Sequence, residues 1–68
     1  MIIWKRTTYF GKSKHVVDVD YDKAHGRISF AGVSIGPRGS LAYGAFGLTV
    51  AELDEIRTAI ETGVPVIK

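Results

Sequence analysis

The run "LTVAELDEIRTAIETGVP", Leu48–Pro65, decides how the rest of the chain must be read. Thr49 stands where an N-cap belongs, and Glu52 three residues later completes a capping box, each side chain accepting from the other's backbone N–H. Leu48 before the cap and Leu53 at the fourth helical position supply the matching hydrophobic staple. Leu53, Ile56 and Ile60 recur at helical spacing as one apolar stripe, with Asp54, Glu55, Arg57 and Glu61 around it. Gly63 can end the helix, Val64 can close a Schellman contact, and Pro65 forbids continuation. The run reads as one amphipathic helix, which needs an apolar surface to lie on.

Everything before it reads as strand and turn. "MIIWKRTTYF" (1–10) is β-branched and aromatic, with Ile3, Lys5, Thr7 and Tyr9 on one side and Ile2, Trp4, Arg6, Thr8 and Phe10 on the other. "GKSK" (11–14) is a polar turn. "HVVDVDYD" (15–22) alternates, with Val17, Val19 and Tyr21 on one face and Asp18, Asp20 and Asp22 on the opposite one. "DKAHG" (22–26) closes a hairpin. In "RISFAGVSI" (27–35) the apolar phase flips from Ile28 and Phe30 to Val33 and Ile35, which predicts a bulge at Ala31–Gly32. "GPRG" (36–39) is a tight turn, and "SLAYGAFGL" (40–48) is a fourth strand. The expected fold is α+β: a curved four-stranded antiparallel sheet followed by one C-terminal helix, in a single domain over residues 1–68.

Composition bounds the function. The chain has 68 residues, 46% of them hydrophobic, a formal net charge of +2 and no cysteine. So small a domain buries only about 60% of the surface its unfolded chain exposes, and such domains often add burial by association. Val64, Val66 and Ile67 follow the helix with nothing obvious to cover them, so a homodimer is expected. Without cysteine there is neither a disulfide framework nor a thiolate metal site. "MIIW" stops at Lys5 and Arg6, too short and wrongly flanked for a signal peptide, which makes the cytoplasm the expected location.

Several motif readings fail on spacing. "GPRG" has the form of the G-x-x-G clamp of KH domains, but that loop joins two helices and this one joins strands. No Gly-Lys-Ser/Thr runs into a helix, so there is no P-loop. "DVDYD" lacks the glycine and glutamate of a calcium loop, for Lys23 and Ser29 stand at those positions. His15 and His25 have no ligand spacing between them. No serine or threonine sits in a nucleophile elbow, so a non-enzymatic protein without cofactor or metal is expected.

What remains is a charge asymmetry. Lys5, Arg6, Lys12, Lys14, Arg27 and Arg38 lie in the strand half, while the helix is acidic. Phosphates attract such cations, and aromatic rings beside them can stack on bases. The candidate phosphate contacts are Lys12, Lys14, Arg27 and Arg38, and the candidate stacking rings are Trp4, Tyr9 and Tyr43. The second function class is a small regulator or inhibitor that docks its sheet surface on a partner protein, a reading that Asp18, Asp20 and Asp22 favour.

From about Lys12 to Ile60 the chain resembles the PC4-like transcriptional coactivators. The resemblance rests on "VDVDYDKAHGR" as a strand entering a hairpin, then "ISFAGVSI", the turn "GPRG", and "GLT" opening a helix with spaced Leu and Ile. It implies four strands and a helix, paired as a dimer, with single-stranded DNA or RNA lying across the sheets. Two positions depart from the family pattern: Asp18 and "YGAF" (43–46) stand where that family tends to carry basic residues.

Overall fold

A computed structural model describes residues 1–68. The order is β1 (Ile2–Phe10), β2 (Ser13–Asp22), β3 (Arg27–Gly36), β4 (Gly39–Tyr43), α1 (Val50–Thr62) and β5 (Val66–Ile67). The strands form one sheet in the order β4-β3-β2-β1-β5. The first four pair antiparallel, as their hairpin turns dictate, whereas β5 returns beside β1 in parallel. The fold is thus α+β with one C-terminal helix, but the sheet has five strands instead of four. Val66 is paired with Trp4 and packs on the core, so the tail is less bare than its sequence suggests.

The bulge lies elsewhere than expected. β2 and β3 pair without interruption from Asp22↔Arg27 to Lys14↔Ile35, through Ala31 and Gly32. The register shift falls in β1 instead, between Ile2 and Trp4. Consecutive residues of a regular strand face opposite sides, yet Ile3 and Trp4 are both fully buried. The extra residue of a bulge reconciles the two facts by turning both side chains toward the core. β3 keeps its phase flip and pays in exposure: Ile28 and Phe30 lie half exposed on the helix side, Val33 and Ile35 half buried on the other.

Gly32 has a different use. A Cβ there would lie 3.0 Å from both Phe46 Cδ1 and Tyr43 Cε2, so the bare backbone is the seat of two aromatic rings. β4 is shorter than "SLAYGAFGL" implied, ending at Tyr43. Beyond it the chain leaves the sheet edge and crosses the helix side toward β1, where Arg6 Nη2 donates to the Gly47 carbonyl at 3.1 Å.

The helix begins and ends where its signals are. Thr49 is the N-cap: Glu52 N donates to its Oγ1 at 3.0 Å, and Thr49 N donates back to Glu52 Oε1 at 2.9 Å. Gly63 closes the other end at φ 74°, its N–H reaching the Ala59 carbonyl. The buried stripe is Glu52, Ile56 and Ala59, with Ile60 partly buried beside it, while Leu53 is half exposed and lies outside the core. Val64 is exposed as well. Ile3, Trp4, Val17, Val19, Ile56 and Ala59 make the core, between α1 and the β1–β2 part of the sheet.

Candidate nucleic-acid interface

Register assigns the faces. Residues directly opposite in an antiparallel ladder share a side, so Trp4, Val19 and Phe30 lie on the helix side, as do Arg6, Val17, Gly32 and Tyr43. Tyr9, Lys14, Ile35 and Ser40 form a row on the opposite, open side. Tyr9 and Tyr43, paired by sequence reasoning, therefore face opposite ways.

The sites of the other candidates follow. Lys12 sits in the β1–β2 turn and Arg38 in the β3–β4 turn, at one end of the sheet, with Lys14 and the 74% exposed Tyr9 beside them. Arg27 opens β3 beside the β2–β3 hairpin, about 26 Å of strand away from Ile35 at ~3.3 Å per residue. It does not join that cluster. Trp4 is no stacking platform: it is fully buried, and its Nε1 donates to Glu55 Oε1 at 3.2 Å. An aromatic ring that fills the core is closed to a base.

A different aromatic set comes together on the helix side. Phe10 and His15 have ring centroids 4.8 Å apart, His15 and Tyr43 5.4 Å, Tyr43 and Phe46 6.3 Å, and Phe46 and Phe30 6.5 Å. The row runs from β1 across to β3, its ends exposed, Phe10 at 56% and Phe30 at 47%. Tilted and edge-on contacts of this kind hold rings against one another, with His15, Tyr43 and Phe46 between the two exposed ends and partly buried. Of these five, sequence reading points to Tyr43 and its neighbour Phe46, and not to Phe10, His15 or Phe30. The signal it missed was Gly32, whose absent side chain makes room for the Tyr43 and Phe46 rings.

No known protein family, curated protein or solved structure matches this chain. Its chemistry is therefore read from its own geometry.

Arg6, Thr8, Phe10, His15, Tyr43 and Phe46 line a hollow of about 320 Å³. That is near the small end of ligand-sized sites, ~300–1,000 Å³. A larger hollow of about 740 Å³ lies by the helix C-terminus, where Asp20, Asp22 and Glu61 outnumber Lys23 and the Met1 amine, so its lining is acidic on balance and suits phosphate poorly.

Charge pairing sharpens the contrast. Arg6 holds Glu52, Arg57 holds Asp54 and Glu61, and Lys68 holds Glu55. Lys5, Lys12, Lys14, Lys23, Arg27 and Arg38 carry no ion pair, whereas among the acids Asp18 has no partner and Asp22 meets only the His25 ring. The unneutralised cations are all in the strand half.

Arg6 belongs to the framework of this site. Its Nη1 spans both Glu52 oxygens at 2.9 and 3.0 Å while Nη2 holds Gly47, which fixes the loop carrying Phe46. The Thr49 N–H bond holds the Glu52 carboxyl below the ordinary glutamate value; burial works against it and Arg6 reinforces it. Glu55 is lowered too, first by Lys68 and then by Trp4 Nε1–H.

Proposed function

We propose that this chain is a non-enzymatic single-stranded nucleic-acid-binding module, of the PC4-like kind, acting as an accessory factor in transcription or replication. The observation that carries the reading is the aromatic row from Phe10 to Phe30 beside a turn end whose cations lack acidic partners. Bases stack on exposed rings whatever their identity, and cations track the backbone. In this reading Phe10, His15 and Tyr43 receive bases and Lys12 and Arg38, in the turns at that end, meet phosphates, while Lys14 meets phosphate from the open side. Tyr9 serves on the open side. Arg27 is too distant to share a short segment with them.

A titration of a labelled single-stranded oligonucleotide at low salt tests it, with binding that weakens as salt rises. The second reading is a regulator that docks on a partner protein, and the exposed Ile28, Phe30 and Leu41 favour it. Such a protein shows no oligonucleotide binding at any salt.

A further inference from the structure

β4 has β3 on one side and no strand on the other. In an antiparallel ladder, alternate residues turn their backbone N–H and C=O away from the neighbour, so the free side of β4 presents unpaired groups. Edges of this kind are usually blunted by charge, proline, a bulge or brevity. "GSLAY" has no charge and no proline, and it pairs with β3 without a register shift. On the opposite edge β5 covers only Trp4 and Lys5 of β1 and is followed by Lys68, held on Glu55 at 2.6 Å. The stretch of β1 it leaves unpaired, Arg6–Phe10, opens on the charged Arg6. The loop after Tyr43 turns inward over the sheet to Arg6 and leaves the β4 edge clear.

We propose that β4 pairs with β4 of a second copy of this chain, antiparallel about a twofold axis through Leu41, so that two sheets become one. The strand is its own complement. In that register Leu41 lies opposite its copy, Ser40 opposite Ala42, and Gly39 opposite Tyr43. No charge meets a like charge, and Leu41, 73% exposed in the single chain, gains an apolar neighbour. An interface of one patch with itself closes at two copies and leaves no free β4 edge.

The axis is perpendicular to the sheet, so both copies turn their helix sides the same way. Arg38 of the second copy then lies opposite Gly44, next to Tyr43 and Phe46. If the row binds nucleic acid (this step alone rests on that reading), the second copy supplies a phosphate contact at its β4 end.

Sedimentation without nucleic acid tests the pairing independently of binding. Wild type should run at twice the 7.4 kDa chain mass at micromolar concentration. L41K and L41E should each run as monomers, and an equimolar mixture of the two should restore the dimer. Since the chain has no cysteine, L41C offers a site-specific check: mild oxidation should link two copies through Cys at position 41 with the circular dichroism spectrum unchanged. A monomeric wild type, an L41K protein that stays dimeric, or an L41C protein that does not cross-link would overturn the proposal.

Discussion

The two halves of the sheet have similar sequence texture and opposite fates. β1 and β2 meet α1 and bury Ile3, Trp4, Val17 and Val19 completely or nearly so. β3 and β4 carry Ile28, Phe30 and Leu41, residues just as apolar, and leave them 47–73% exposed. Dimensions explain the difference. Five strands at ~4.8 Å spacing make a surface about 20 Å wide, and one helix of ~10 Å diameter covers half of it. Arg6–Glu52 and Trp4–Glu55–Lys68 fix that helix over the β1 and β5 side. What is left open is β3 and β4 together with the turn end of β1 and β2, and the aromatic row crosses that surface. Stability and surface chemistry are thus separated within 68 residues.

The separation can be broken from the closed side first. Trp4→Ala should destabilise the fold by about 3–5 kcal/mol, the usual loss for a buried Trp, which is most of what a small domain has. Phe30→Ala, from the open half, should cost about 1 kcal/mol because its ring keeps half its exposure in the fold. Chemical denaturation of the two variants measures the contrast, and equal losses would abolish it.

Gly32→Ala tests the seam between the halves. The added methyl meets both rings at 3.0 Å, and forced overpacking of this kind typically costs about 1–3 kcal/mol. The near-ultraviolet circular dichroism of the Tyr43–Phe46 pair should change along with the denaturation midpoint. A regular strand position with room to spare would show neither change.

How much of this was legible beforehand depended on distance along the chain. The helix was legible because its cap, its box partner and its stop all lie between Thr49 and Pro65, close enough to act through local geometry. Leu53 was misplaced since periodicity sets a stripe only to within a neighbouring position, and the sheet chose Glu52, Ile56 and Ala59. β5 was missed because two residues pairing with β1 across the whole chain leave no periodic signal. Alternation puts Trp4 on one side of β1 without saying which side the helix covers, and only the bulge brings Ile3 to the core beside it. The aromatic row comes from separate segments and exists only through register. Lys12, Lys14 and Arg38 converge because both turns fall at one end, a consequence of hairpin topology that sequence order already contained.

A smaller effect sharpens the account of the helix. Thr49→Ala should cost about 1 kcal/mol, the usual price of a lost Thr cap. Glu52 adds a pH dependence with a definite sign. Its folded carboxyl titrates below the ordinary 4.5, so its contribution is whole above that pH and is lost as pH falls through the folded value. Glu52→Gln should therefore flatten the acid limb of the stability curve while changing little in its shape above pH 5. An acid limb identical to wild type would separate Glu52 from the stability of the helix.

The most direct test of the open half as a binding surface is the salt dependence of oligonucleotide affinity in two variants beside wild type. Tyr43→Ala should lose ~1–3 kcal/mol of binding with its salt slope unchanged, because stacking releases no counterions. The double variant Lys12→Ala, Lys14→Ala should instead flatten the slope by up to ~1.4, at about 0.7 for each phosphate contact on a single strand. Wild-type protein that binds no single strand at about 50 mM salt, or a Tyr43→Ala variant that binds as wild type does, would contradict the account.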